Sequence, residues 1–272
     1  MSTVSDLSRH RELFVNLTLR ELRGKYKRSL LGWGWSLVNP LMQMAIFSLV
    51  FGFFLKVDPP VGDPSGLDTF AFFLLCGLLP WTFLSTGLTG GMGSLIANAN
   101  LIKKVWFPRQ LLVGATVASF GVSFLIELGV LAIALLIAGN MVLPWLVPVL
   151  GIAALQAVFV LGLALLLSVS NVYFRDLEYL VGIGLQFWFY ATPIVYPYGT
   201  VEERLQEDHP LLLDLYGLNP MTRFAEAYRD LLYDLRWPAL GTVLYLIGCA
   251  VVSLTIGWVT FRRLQGRLAE EL

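Results

Sequence analysis

Lys25, Lys27 and Arg28 stand immediately before an apolar run, and Trp33 and Trp35 mark the boundary between the two. Basic side chains stay among water and lipid headgroups, indole rings prefer the interface, and the residues after them enter hydrocarbon. That order marks a helix entering a bilayer from the cytoplasmic side. Composition agrees. The 272 residues are 57% apolar and 14% charged, whereas a soluble domain carries roughly 25% charge. Most of the surface therefore faces something other than water.

A span needs about 20 apolar residues to cross about 30 Å of hydrocarbon. Six stretches qualify: Leu37–Leu55, Phe70–Thr89, Leu111–Ala138, Trp145–Ser170, Leu180–Val195 and Ala239–Val259. The third and fourth are long enough to tilt. The fifth is short and carries Pro193, so it is expected to be broken or re-entrant, its freed carbonyls satisfied by neighbouring helices. The fold class is all-α integral membrane, a single domain over 1–272. Residues 1–36 form a cytoplasmic segment with an amphipathic interface helix, 37–260 a six-span core, 196–238 an external segment and 261–272 a cytoplasmic tail. The polar N-terminus has no short apolar core, so the first span is expected to serve as the insertion signal. Cys76 and Cys249 lie inside apolar runs and read as packing residues.

Charge sets the orientation. The termini and the 98–110 and 171–178 loops carry 14 Lys and Arg against 7 Asp and Glu. The opposite loops carry 5 against 11, and Glu127 completes the acids. The positive-inside rule then puts both termini in the cytoplasm.

Residues 7–23 have helical periodicity. Arg9, Asn16, Arg20 and Arg23 make a polar stripe, with Leu13, Phe14 and Leu17 on another side and Gly24 as the expected end. Such a helix belongs in the membrane interface and doubles as a platform for a cytosolic partner. The next cytoplasmic loop presents Lys103, Lys104 and Arg109 without acids, together with Leu101, Ile102, Val105, Trp106 and Phe107. Those apolar groups need headgroups or a groove on another protein to cover them. Outside, Asn219 and Pro220 supply helix-start chemistry. Phe224, Tyr228 and Leu231 form one stripe, and Arg223, Glu226, Arg229 and Asp230 fill the other side in charge pairs. This helix either dips into the membrane mouth or rests on the outer leaflet.

No phosphate-loop motif, no H-E-x-x-H, no Cys/His cluster and no G-x-S-x-G elbow occurs. No catalytic, cofactor-binding or metal residue is assigned, and an enzyme reading has nothing to stand on. Glu127 is the one ionisable group deep in a span. It continues a stripe of Thr116, Ser119 and Ser123, and must face protein or water. It either glues helices or lines a pore. Phe47, Phe51 and Phe54 form a stripe on the first span, while Phe187, Trp188, Phe189 and Tyr190 are consecutive on the fifth. Their readings are lipid contact and packing, or a sugar-binding surface.

Five motifs are specific, in this order: LLGWGWSLVNPLMQ, LIKKVWFPRQLL, NVYFRDLEYLV, ATPIVYP and LNPMTRFAEAYRD. With them the chain resembles the type-2 ABC exporter permeases for lipid-linked polysaccharides such as O-antigen, teichoic acid, capsule and galactan precursors. The resemblance runs from about Leu13 to Arg263. It implies a bacterial inner-membrane exporter of two permease copies and two ATPase subunits, with ATP and Mg held by the ATPase. It implies coupling to that partner through Leu101–Phe107 and Arg109, with 7–23 as interface helix. It implies external gate helices around Leu211–Leu232, including Arg223, Phe224, Glu226, Tyr228 and Arg229. It also implies a sugar conduit between the copies along aromatic side chains, here Phe47, Phe51, Phe54, Phe187, Trp188 and Tyr190, with membrane lipid around the whole. The alternatives are a drug or simple-lipid exporter of the same fold, and a secondary transporter or membrane-embedded transferase.

Overall fold

A computed structural model describes residues 3–25, 34–54, 60–105, 107–199, 202, 213 and 216–271. The regular elements among them are all helical. In chain order they are α1 (Thr3–Lys25), α2 (Trp35–Phe47, continued by a π-helical stretch to Phe54), α3 (Phe70–Ala97), α4 (Ala99–Lys104), α5 (Gln110–Ile137), α6 (Leu146–Tyr173), α7 (Leu177–Tyr190), α8 (Pro220–Arg229, continued by a π turn to Asp234), α9 (Leu240–Leu264) and the short α10 (Leu268–Glu271).

Four of these, α3, α5, α6 and α9, are apolar and at least 25 residues long, which at 1.5 Å per residue exceeds the hydrocarbon thickness. They match the second, third, fourth and sixth expected spans. The second runs eight residues past Thr89, to Ala97. The first expected span corresponds to α2 and its π continuation, and its end at Leu55 lies outside the described residues. The fifth is short and broken at Pro193, as the sequence leads one to expect. Its helix ends at Tyr190 after 14 residues, and 191–196 follow as non-helical bends that include Pro193.

The centre is α3. In its most apolar window 72% of residues are buried, against 28% in α5 and 22% in α9, so α3 is walled by protein while the others keep broad apolar outer faces. It packs on α2, α5, α6, α7 and α8. Phe83 of α3 stacks on Phe124 of α5 at 4.9 Å, and Tyr228 of α8 meets the Phe124 ring edge-on at 5.9 Å. Cys76 is fully buried, and both cysteines are free thiols.

Small residues set the closest crossings, as expected where association rests on packing between surfaces that are all apolar. A Cβ on Gly91 of α3 would lie 2.7 Å from the Ala164 Cβ of α6. The α6–α9 crossing is tighter. A Cβ on Gly162 would overlap the Ser253 carbonyl group, and one on Gly257 would overlap the Gly162 carbonyl oxygen. The Ser253 hydroxyl donates across this crossing to the Phe159 carbonyl at 3.2 Å. Gly257→Leu should therefore force the two helices apart at a cost of about 1–3 kcal/mol, read as a lower thermal unfolding midpoint in detergent. Gly248→Ala, on the same helix with open space at its Cβ, should be neutral or slightly stabilising. Equal midpoints for the two variants would contradict the close-crossing account.

Candidate functional site

Two regions assemble the functional candidates, one at each end of α3. At the first end α3 stops at Ala97 and α4 begins two residues later. Asn98 sits between them and serves both. Its Nδ2 donates to the Ser94 carbonyl at 2.8 Å, and its Oδ1 accepts from the Arg20 guanidinium of α1 at 2.7 Å. Arg20 also pairs with Glu21 at 2.7 Å. On α4, Ile102 is buried and Leu101 half-buried, while Lys103, Lys104 and Val105 are exposed. Phe107 packs partly into the core. Trp106 lies outside the described residues. Arg109 donates to the Gln265 carbonyl at the end of α9, which ties this loop to the C-terminal turn; the interaction was not legible from sequence spacing. The result is a short helix anchored by one apolar side chain and presenting two lysines outward.

The first helix departs from expectation. It continues through Gly24 to Lys25, because glycine within a packed helix costs only about 1 kcal/mol and the next contact lies beyond it. Phe14 packs at Gly114 of α5. Eleven residues on, Lys25 reaches the same helix, with Nζ 3.3 Å from the Ser123 hydroxyl and 3.5 Å from the Phe120 ring centroid. Thus α1 runs alongside α5, with Leu17 and Leu22 buried. Burial lowers the Lys25 pKa to about 8, opposed by the carboxylates of Glu127 and Glu21. The polar stripe therefore has an occupant. Thr116, Ser119 and Ser123 bond back to carbonyls of their own helix, and the face they share with the half-buried Glu127 is met by a lysine from α1.

At the other end of α3, the break after α7 is filled by α8. Asn219, the N-cap of α8, spends every hydrogen-bonding site of its amide. Its Nδ2 donates to the Ala191 carbonyl at 2.9 Å and to the Thr192 hydroxyl at 3.0 Å. Its Oδ1 accepts from the Trp188 indole at 2.7 Å and the Met221 amide at 3.0 Å. Arg229, only 2% exposed, completes the repair. Its Nη1 donates to the Pro193 carbonyl at 2.6 Å and to Glu226 at 2.8 Å, and its Nη2 to the Ile194 carbonyl at 2.8 Å. The guanidinium lies 3.8 Å over the Phe73 ring. A Cβ at Gly77 would come 3.1 Å from Nη2, so glycine leaves the space this group fills.

Sequence reasoning put Arg229 on the polar outer side of its helix. The structure instead buries it, because the carbonyls of the broken segment need donors and this residue serves two of them, Pro193 and Ile194. The expected Glu226–Arg229 pair forms. Asp230 pairs with Arg236 at 2.6 Å rather than within the helix. Arg223 stays half-buried and donates to the Gly217 carbonyl at 3.1 Å. Phe224, Tyr228 and Leu231 are fully buried, so α8 is packed into the bundle and does not rest on an outer leaflet. The Tyr228 hydroxyl donates to Gln156 at 3.0 Å, and Gln156 donates to the Pro80 carbonyl inside α3 at 2.7 Å. Gln156 is not among the sequence candidates, although a lone amide in an apolar run is a usable signal. Beside Arg236, burial raises Asp234 to about 6.

The aromatic candidates divide. Phe51 stacks on Phe70 at 4.6 Å, Phe47 lies 6.0 Å from Phe51, and Trp188 sits edge-on to Trp81 at 5.9 Å; these three are packing residues. Phe54, Phe187 and Tyr190 are each about two-thirds or more exposed.

An all-helical bundle with a short basic helix at one end and a repaired break at the other has the parts of a transporter's membrane subunit, and a family comparison agrees. A family model described as ABC-2 type transporter matches residues 12–233, and the chain belongs to that family. It is 31% identical over 275 residues to a Myxococcus xanthus protein named O-antigen export system permease protein RfbA, covering 99% of this chain and 98% of that one. Two Klebsiella pneumoniae proteins of the same name are 30% and 31% identical over 266 residues, each covering 96% of this chain and 95% of its own length.

Arg229→Met should strand the Pro193 and Ile194 carbonyls and leave Glu226 unpaired. Loss of one buried charged partner costs about 3–5 kcal/mol, to be read as a fall in unfolding midpoint and in folded yield. Arg223→Met, which removes a single bond at a half-buried site, should cost under about 1.5 kcal/mol. If the two variants unfold alike, Arg229 is not the repair of the break.

Proposed function

We propose that this chain is the transmembrane permease subunit of an ATP-driven exporter that carries a lipid-linked polysaccharide of the O-antigen kind across a bacterial inner membrane. The observation that carries the reading is similarity over nearly the full length to three proteins named as O-antigen export permeases. ATP and Mg belong to a separate ATPase subunit, present in two copies beside two copies of this chain. The exposed Lys103 and Lys104 on α4, held on the bundle by Ile102, would seat in that partner, with α1 tied alongside by the Arg20–Asn98 bond. α8 would act as the external gate element.

Six spans with both termini inside remain the topology we favour, from the 14 against 5 distribution of Lys and Arg. The conduit is narrower than the sequence implied. Of its six aromatics, Phe54, Phe187 and Tyr190 have rings free to face a passing sugar chain, since Phe47, Phe51 and Trp188 are committed to packing. Stacking on sugar faces is weak and tolerant of register, which suits sliding.

Proteoliposomes holding the permease and its ATPase should export the glycan only with ATP. Lys103→Glu with Lys104→Glu should cut export about tenfold or more, since like-charge contacts at an interface cost several kcal/mol, while leaving insertion intact. Phe54→Leu with Phe187→Leu should slow export yet keep ATPase assembly. Unchanged export in the lysine variant rejects the coupling role, and unchanged export in the phenylalanine variant rejects the conduit. Topology is checked separately. In a variant lacking Cys76 and Cys249, a single cysteine at Gly266 should react only from the cytoplasmic side and one at Gly199 only from outside; the reverse pattern overturns the orientation.

A further inference from the structure

Between α1, α5, α6 and α9 the bundle leaves an open crevice of about 650 Å³, within the size range of small-molecule sites. Its walls are almost wholly apolar: Phe14 of α1, Leu111 of α5, Leu161 and Leu165 of α6, and Leu254 and Trp258 of α9. Among the described residues, none of α2 or α7 lines it, so it is separate from the proposed conduit. It lies at the basic end of the bundle, beside the first turn of α5 and the last turns of α9. Arg262 follows one turn after Trp258, with its guanidinium 5.6 Å from the indole ring. Arg263 is next to it, and both are exposed. Arg11, also exposed, stands one turn before Phe14, next to the exposed Glu12. An apolar slot with a basic rim and an indole at the junction has the chemistry of one lipid: chain below, phosphate above.

We propose that the crevice holds an acyl chain of an anionic phospholipid whose phosphate lies at Arg262 and Arg263. Helix α1 packs chiefly on α5, and across the crevice it faces α6 and α9 with hydrocarbon on both sides. A chain lodged there bridges α1 to those helices and makes the seat of α1 depend on anionic lipid. The inference rests on the membrane reading above. It does not depend on which leaflet is cytoplasmic, because binding is measured in detergent.

The test uses the purified full-length chain with its ATPase partner, offered phosphatidylglycerol or phosphatidylethanolamine and examined by native mass spectrometry. One phosphatidylglycerol per permease chain should be retained in preference to phosphatidylethanolamine. At about 1 kcal/mol per basic residue, Arg262→Gln with Arg263→Gln should weaken that retention roughly thirtyfold. These positions are exposed, so folding is not at stake. A phosphatidylglycerol with a photoreactive acyl chain should label the peptides holding Phe14 and Trp258. Equal retention of the two lipids, unchanged retention in the double variant, or labelling confined to α2 and α7 would overturn the proposal. So would displacement of phosphatidylglycerol by an equal concentration of a polyprenyl diphosphate, which would make the occupant the tail of an export substrate. A failed topology experiment with intact lipid retention would strike the orientation alone.

Discussion

Peptide groups placed in apolar surroundings must find hydrogen-bond partners, and the arrangement of one end of this protein follows from that demand. Helix α7 stops at Tyr190, and the next six residues leave the helix among apolar neighbours. An unpaired carbonyl there costs several kcal/mol. Three side chains come to the break and meet five acceptors there. Asn219 takes Ala191 and Thr192, Arg229 takes Pro193 and Ile194, and the Tyr196 hydroxyl takes the Tyr190 carbonyl at 2.6 Å. Asn219 and Arg229 belong to one helix, ten residues apart, which is why α8 must be inside the bundle and cannot lie on its surface. Burying a guanidinium is tolerable only because its donors are used and an aromatic face lies beneath it.

The other end is held by lighter means. A six-residue helix has little stability of its own, so α4 depends on what anchors it: Ile102 below, Asn98 before it and the Arg109 bond to the C-terminal turn after it. Exposed lysines on so short an element are cheap to present and free to pair elsewhere. Arg20 gives α1 a polar grip on the α3–α4 corner, and Lys25 a second grip on α5. A displacement of α4 therefore reaches α1 through a side chain, not through continuous backbone, since residues 26–33 and the whole of α2 and α3 intervene in sequence.

Most of the architecture was legible because hydrophobic length is a simple signal. The apolar runs of α3, α5, α6 and α9 exceed the bilayer requirement with nothing to interrupt them, and their helices appear where the runs do. The break in the fifth run was legible from Pro193 for the same reason. What the sequence concealed were contacts between distant residues. Arg229 sits three places after Glu226 on an amphipathic helix, a spacing that reads as a surface ion pair. Only the carbonyls of a segment 35 residues upstream make it a core residue. Lys25 was read as interfacial because its neighbours Lys27 and Arg28 are basic, yet its side chain lies along α5. For the aromatics, periodicity placed Phe47, Phe51 and Phe54 on one stripe but left open which rings were already occupied. Phe51 has Phe70 and Trp188 has Trp81, whereas Phe54 and Phe187 have open faces.

Both ends meet on α3, which makes its own weak point consequential. Phe73 and Gly77 carry the Arg229 guanidinium near one terminus, and Asn98 holds Arg20 at the other. Pro80 lies between, where its ring removes one backbone donor from the helix. Gln156 of α6 donates to the Pro80 carbonyl, and Tyr228 of α8 donates in turn to Gln156. The three polar groups form a chain from α8 through α6 to the Pro80 turn of α3, all of them buried. A buried hydrogen-bond network holds one geometry firmly, so the Pro80 turn of α3 is held by the same helix that repairs the break. Any movement of α8 that withdraws Tyr228 must loosen Gln156 and, with it, the hold on the Pro80 turn of α3. The element proposed as the gate and the helix that ends at the α3–α4 corner are thus tied together, at Pro80 by hydrogen bonds through Gln156 and at Gly77 by the Arg229 guanidinium.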